Sequence, residues 1–278
     1  MRAWTDGALV EPSDLVIAAN DRGALLGDGL FETIACEGER ALFWDSHLRR
    51  LRASAQALDL ALDEAALAEG ARAVLAGARG RGALRLTVTR GPGGRGVAPI
   101  PRPAQRPRTL VGWSGAPAPS DVPVRLGLSP VRRNPSAPSC RHKTLSYADA
   151  VFARAEAARS GADDALMLSV SGRAACCSIG NIWVRTEEGF VTPPLSEGVL
   201  AGIVRQCLLC AGTTGGVRVR IGRLTRGDLL AFPLYRSNSL TGVQRAWLPG
   251  GAAPSPDNPL GLLYERLERE EAACGRSS

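Results

Sequence analysis

The chain opens with apolar stretches broken by turn residues. AWTDGALVEP and then DLVIAANDRGALLGDGLFETIACEGERALFW read as strands and turns, with EGER joining two apolar stretches as a hairpin. The period then changes. In SHLRRLRASAQALDL the apolar positions Leu48, Leu51, Ala55 and Leu58 have helical spacing, and Asp45 or Ser46 is placed to cap that helix. DEAALAEGARAVLAGARG predicts a second helix, and GALRLTVTRG a strand with alternating faces. GPGGRGVAPIPRPAQRPR is a long Gly/Pro loop, of the length that in compact domains is functional or disordered. TLVGWSG is another strand, and APAPSDVP has the composition of a linker.

The second half begins with VRLGLSPVRRNP, a strand and a turn. SYADAVFARAEAARSG predicts an amphipathic helix ending at Gly161. DDALMLSVSGRAACCSIGNIWVRTEEGFVTPP reads as a strand, a turn at Ser171-Gly172 and two more strands. LAGIVRQCLLCAG is a helix after a loop, VRVRIGRLT a strand, GDLLAFPLY a short helix, SNSLTGVQRAWLPG a strand and PLGLLYERLEREEAA a final helix. There is no internal repeat. Strands and helices mix without strict βαβ alternation, which predicts an α+β fold. The expected division is a smaller N-terminal domain over 1–114, a linker over 115–123 and a larger domain over 124–278.

With 45% hydrophobic and 22% charged residues, the 278-residue chain has the balance of a soluble globular enzyme rather than a disordered protein. The net charge of +7 comes from scattered arginines with no aromatic interleaving, so no nucleic-acid partner is expected. No apolar run is long enough to span a bilayer and the N-terminus lacks a signal-peptide apolar region, so no membrane association and a cytoplasmic location are expected. The seven cysteines (Cys36, Cys140, Cys176, Cys177, Cys207, Cys210 and Cys274) have no regular spacing and fit a reducing compartment. Cys207 and Cys210 form a CxxC inside an apparent helix. With only His47 and His142 available besides, no metal site is expected.

One composition fact changes the picture. Of the 34 basic residues, a single one, Lys143, is lysine. Arginine serves wherever charge alone is needed, but it cannot lose its proton and attack a carbonyl; a lysine amine can. Neither a GxxxxGK[ST] loop nor a strand-to-helix GxGxxG is present, which demotes nucleotide binding. A carbonyl cofactor or substrate fits better. A phosphorylated aldehyde would need an anion cradle, and the helix beginning at Gly202, Ile203 and Val204 offers unpaired N–H groups and a positive dipole end. Arg50 in HLRRL can add a charge-assisted contact, and Ser239 in SNSLTG a hydroxyl.

DRGALLGDGLFETI, HLRRLRASA, LRLTVTRG, KTLSYADAVFARAEA with GADDALML, GNIWV, VTPP and GIVRQ occur in this order across about residues 15–245. Together they resemble the class IV aminotransferases, the pyridoxal-phosphate enzymes of fold type IV. That family includes branched-chain and D-amino-acid aminotransferases and 4-amino-4-deoxychorismate lyase. The resemblance implies two α/β domains, a cofactor in the cleft, a small-molecule amino substrate and a homodimer. It places Lys143 on the Schiff-base lysine, Arg50 on the phosphate-binding arginine, Ile203 and Val204 on the phosphate-holding amides, and Ser239 close to an assisting hydroxyl. Tyr147 lies near a tyrosine that some members set against the cofactor's ring oxygen, with spacing one residue shorter.

The chain departs from the family at one point. Members carry a glutamate five residues before the asparagine that is Asn181 here, facing the pyridine nitrogen; this chain has Cys176, or Ala175 with a one-residue shift. The site then uses a weaker electron sink, borrows another acid, or has lost activity. The loop RGPGGRG, the run GIVRQ and the paired cysteines resemble the lyase branch, where Thr33 falls on a threonine assigned to proton transfer. Arg95 in that loop is the candidate holder of a substrate carboxylate. The leading expectation is a lyase releasing pyruvate and 4-aminobenzoate. The alternatives are a transaminase of D- or branched-chain amino acids and a non-catalytic cofactor-binding relative.

Overall fold

In the computed structural model, which describes residues 1–211 and 217–274 (the last three by backbone alone), the chain divides into two units. The first comprises Met1–Ala118 with His142–Tyr147, the second Pro119–Arg141 with Ala148–Ser278.

In the first unit, Asp6 and Gly7 take left-handed backbone at φ 52° and 86°, which folds β1 (Arg2–Thr5) back onto β2 (Ala8–Val10). The short α1 (Arg22–Leu26) is capped by Asp21 and leads into β3 (Gly29–Glu37) and β4 (Arg40–Ala41), the hairpin that EGER predicts. Two helices follow, α2 (Trp44–Ala57) and α3 (Glu64–Leu75), then β5 (Arg81–Thr89) and β6 (Arg108–Gly115). Among the described residues the strands form one antiparallel sheet in the order β2-β1-β6-β5-β3-β4. Leu30, Ile34, Leu84, Leu86 and Val88 pack on its helix-covered face against Leu51, Ala55, Leu67 and Val74. Strand alternation turns Phe31, Thr33 and Arg85 to the opposite face. Neither Asp45 nor Ser46 caps α2. The helix starts at Trp44, Phe43 holds the cap position in left-handed backbone, and Asp45 lies in the first turn, where its charge favours the helix dipole.

The second unit runs from β7 (Val124–Arg133) through α4 (Pro138–Arg141) and α5 (Ala148–Arg159) to β8 (Asp164–Ser169), β9 (Ala174–Cys177), β10 (Asn181–Thr186) and β11 (Gly189–Thr192). Then come α6 (Ile203–Ala211), β12 (Val219–Ile221), α7 (Arg226–Ala231), β13 (Leu234–Asn238), β14 (Gly242–Trp247) and α8 (Pro259–Cys274). Among the described residues the sheet order is β12-β11-β10-β13-β14-β7-β8-β9, and β9 pairs again with β10 at Cys176↔Asn181, closing six strands into a ring.

Three elements differ from the sequence pattern. Asp164–Thr192 holds four strands rather than three, because β9 is only four residues long and lies close to β10 in sequence. The helix expected over GDLLAFPLY stops at Ala231, and the chain continues as β13. The face of α5 that packs inward carries Ala150, Ala153 and Ala157, while Val151 and Phe152 are exposed. Small residues are needed there because the helix runs close to β7: a Cβ on Gly127 would stand 3.3 Å from Ala157. No helix among the described residues is long and apolar enough to cross a membrane, and no group of three or more potential metal ligands occurs among them.

Gly70 marks the tightest helix-to-sheet approach in the first unit. A Cβ there would stand 2.6 Å from the Trp4 ring and 2.8 Å from Val111. Glycine to alanine in a helix normally gains about 1 kcal/mol. Here overpacking costs about 1–3 kcal/mol, so Gly70→Ala should lower the urea midpoint; an unchanged or higher midpoint would show the contact to be loose.

Candidate active site

The segment bearing Lys143 lies alongside β3. Phe31 N donates to Lys143 O at 2.9 Å, Leu145 N donates to Gly29 O at 2.9 Å, and Leu30 and Thr144 form an isolated antiparallel bridge. Glycine is required beneath it. A Cβ on Gly29 would stand 2.4 Å from Val88 O and 2.7 Å from Leu145 Cδ1. His142 Nδ1 and Ser54 Oγ, 3.1 Å apart, tie the segment to α2. The linear division puts Lys143 in the C-terminal half, whereas these bonds make it part of the first unit.

The amine of Lys143 sits 4.3 Å from the Phe31 ring centroid and 5.4 Å from that of Tyr147. Phe31 and Tyr147 meet edge to face at 5.2 Å. Arg85 places its guanidinium carbon 4.0 Å from the same Phe31 centroid, so two cations share one ring. Arg85 has no acidic partner among the described residues. Burial, the Arg50 charge and then the Arg85 charge pull the Lys143 amine down to about 8, against the opposing pull of Glu32. Roughly a tenth of the amines are then uncharged at neutral pH, far more than for an ordinary lysine.

Glu32 is the carboxylate under this site. It stands on the core-facing side of β3, 1% exposed, where a lone charge would be untenable. Arg50 grips it with two hydrogen bonds of 2.8 and 2.5 Å, and His47 Nδ1 lies 2.7 Å from Oε2. Burial favours the protonated acid, but the Arg50 charge and the hydrogen bonds from His47 and Arg50 outweigh it and bring Glu32 down to about 2. Burial also lowers the pKa of His47. A neutral imidazole facing a carboxylate must carry its proton on Nδ1 to donate it. The sequence pattern singled out Arg50 and Lys143 but passed over Glu32, His47 and Arg85. The signals were a glutamate between Leu30 and Ile34 on an otherwise apolar face, and a histidine four residues before Leu51. Thr33 lies opposite Arg85 across β3 and β5, half-buried. Arg95 is exposed in the Gly/Pro loop.

The remaining candidates belong to the second unit. Ile203 and Val204 open α6, and the first bond back to the preceding turn is Gln206 N to Gly202 O at 2.9 Å. The N–H groups of Ile203, Val204 and Arg205 find no acceptor among the described residues, as a helix start requires of an anion cradle. Gly202 is required for a reason the sequence pattern did not contain: a Cβ would stand 2.0 Å from Asn181 Oδ1, and Asn181 Nδ2 donates to Leu200 O at 3.0 Å. Ser239 is half-buried at the tip of the β13–β14 hairpin, whose turn is held by Asn238 Oδ1 accepting from Leu240 N and Thr241 N.

Cys176 is buried and stands opposite Asn181. Burial, aided by the neighbouring Cys140 and Asp164, raises its thiol to about 11 against the pull of Arg133, so it is a neutral S–H and no anion. Among the described residues of this unit, the buried acids are already engaged. Asp164 is taken by Ser178 and Arg236, and Glu197 by Ser169, Ser171 and Arg173. Cys207 and Cys210 are free thiols on α6, and the Cys274 side chain lies outside the described residues.

The chain is similar to known proteins. The profile of the amino-transferase class IV family matches residues 29–246. A Mycobacterium tuberculosis protein named bifunctional aminodeoxychorismate lyase / D-amino acid transaminase is 30% identical over 287 residues, covering 94% of this chain and 95% of its own. The crystal structure of 4-amino-4-deoxychorismate lyase from Pseudomonas aeruginosa is similar at TM-score 0.84 and 29% identity, covering 96% of this chain and 98% of that one. A pyridoxal-phosphate-bound hypothetical aminotransferase from Mycobacterium tuberculosis is similar at TM-score 0.81 and 25% identity, covering 98% of each chain.

Burial and the charges of Arg50 and Arg85 make the Lys143 amine titrate early. Competitive acylation, read on the peptide containing Lys143, should show a midpoint near pH 8. Arg85→Gln removes one repelling charge and should move that midpoint upward. A wild-type midpoint near 10.5, the ordinary value, or no movement in the variant would contradict the geometry.

Proposed function

This chain belongs to the class IV aminotransferase family, a family of pyridoxal-phosphate enzymes, and on that premise we propose that it is a 4-amino-4-deoxychorismate lyase. The residues fit the cofactor. One lysine has an amine that loses its proton near neutrality, and one helix start has unpaired amides. Lys143 would hold the aldehyde carbon. Ile203 and Val204 would hold the phosphate, with Arg50 and the Ser239 hydroxyl as further contacts, and Tyr147 would stand against the ring. When bound, pyridoxal phosphate supplies an electron-withdrawing ring that draws charge from the substrate carbon being deprotonated.

Lys143, freed as an amine, takes the proton from the substrate ring carbon. The Thr33 hydroxyl, which has no hydrogen-bond partner among the described residues, relays a proton beside it. The substrate then loses its enol-pyruvyl group as pyruvate and becomes 4-aminobenzoate; atoms balance without any added reactant. Arg85 lies over the same Phe31 ring as the amine, has no acidic partner among the described residues and would orient a substrate carboxylate, with Arg95 as the loop contact.

The observation that carries the lyase reading is Cys176. A neutral thiol at the position where the resemblance puts the carboxylate of the pyridine nitrogen, with the buried acids Asp164 and Glu197 already engaged, would leave the ring a weak sink. Aromatisation of the product can drive a reaction from such a site, whereas amino transfer depends more heavily on the ring. The lyase names of relatives support it. A second reading, a transaminase of D- or branched-chain amino acids, is favoured by the double name of the Mycobacterium tuberculosis relative.

Incubation with aminodeoxychorismate should yield pyruvate and 4-aminobenzoate in equal amounts without a keto acid; keto-acid-dependent amino transfer with no aromatic product would overturn the proposal. Lys143→Ala should lower kcat by at least about 10²-fold. Cys176→Glu should raise amino transfer relative to lyase activity, and unchanged activities would remove Cys176 from the ring nitrogen.

A further inference from the structure

Four arginines are buried among the described residues, and three of them meet carboxylates. Arg22 and Arg90 share Asp28 at 2.8 and 2.9 Å, and Arg236 meets Asp164 at 2.7 Å. Arg205 is the most buried of the four, 3% exposed, and has no acidic partner among the described residues. Its Nη2 donates to Pro193 O at 3.0 Å, and its Nε has no partner. Burial alone draws its guanidinium below the ordinary arginine range, with no acid to hold it up. An uncompensated buried cation is strongly unfavourable, so an anion bound nearby would stabilise it.

The place where that charge would sit follows from the helix. Arg205 is the third residue of α6, and helical side chains lean toward the N-terminus, back over the first turn. The unpaired N–H groups of that turn carry a partial charge of only about +0.5. A phosphate at neutral pH brings between one and two negative charges. Arg50, the further phosphate contact, also neutralises the buried Glu32 through two hydrogen bonds, so its charge is shared.

We propose that Arg205 is the buried counter-charge of the phosphate site at the start of α6, a positioning residue that binds the anion electrostatically through the first turn of the helix. This rests on the assignment of that turn to the cofactor phosphate. It implies that Arg205 is unfavourable in the empty protein and favourable only with phosphate present. A merely structural arginine, tying α6 to Pro193, would behave in the opposite way.

The test uses the full-length apoprotein titrated with pyridoxal phosphate and with phosphate-free pyridoxal, and melted with and without inorganic phosphate. Wild type should prefer the phosphorylated form strongly and gain melting temperature from inorganic phosphate; no preference and no gain would overturn the assignment of the helix start itself. With that preference established, Arg205→Gln should cut it at least about tenfold, leave pyridoxal affinity unchanged and not lower the melting temperature of the empty protein. Arg205→Lys, which keeps the charge, should keep most of the preference. Full preference in Arg205→Gln, parallel loss of both affinities, or failure of the empty variant to fold would each overturn the role of Arg205.

Discussion

The first unit is organised around a carboxylate that has no business being buried alone. Glu32 sits on the apolar side of β3, and its charge persists because Arg50 and His47, one helical turn apart on α2, both reach it. That contact locks α2 to β3. It also sets the potential felt by Lys143, which hangs from the same strand by the bond between its carbonyl and Phe31 N. Of the charges around the amine, Arg50 and Arg85 push its proton off while Glu32 holds it on. With burial added, the amine is both reactive and still partly protonated near neutrality, the condition for a group that must give and take a proton at one site.

The second unit supplies the opposite kind of environment. The Cys176 thiol is neutral, and the buried acids Asp164 and Glu197 are spent on structural partners. The helix start at Ile203 is electropositive and unpaired. Under the proposed function, that helix start would take the anionic end of the cofactor, and a thiol in place of the family's carboxylate would limit how strongly the cofactor ring can pull electrons. The lyase proposal rests on this: a product that provides its own driving force depends less on the ring.

Much of this was readable from the chain. A lone lysine among 33 arginines pointed to the amine, because arginine substitutes for charge but not for nucleophilicity. The alternation in LRLTVTRG and the turn in EGER yielded β5 and the β3–β4 hairpin. What stayed hidden depends on tertiary neighbours. Glu32 reads as a surface break in an apolar strand until α2 brings Arg50 beneath it. Gly202 reads as a door for phosphate, yet Asn181 Oδ1 already forbids any side chain there. Val151 and Phe152 look like the buried stripe of α5, but the sheet comes too close for anything larger than alanine. Arg205 looks like one more arginine; only the absence of an acid around it in three dimensions sets it apart.

The central claim is covalent, and the composition of the chain makes it unusually easy to check. The protein should be loaded with pyridoxal phosphate, reduced with borohydride and mapped by peptide mass spectrometry. The account predicts one stoichiometric pyridoxyl addition, on the peptide containing Lys143. An unmodified Lys143, or label found only on the N-terminal amine, would contradict it.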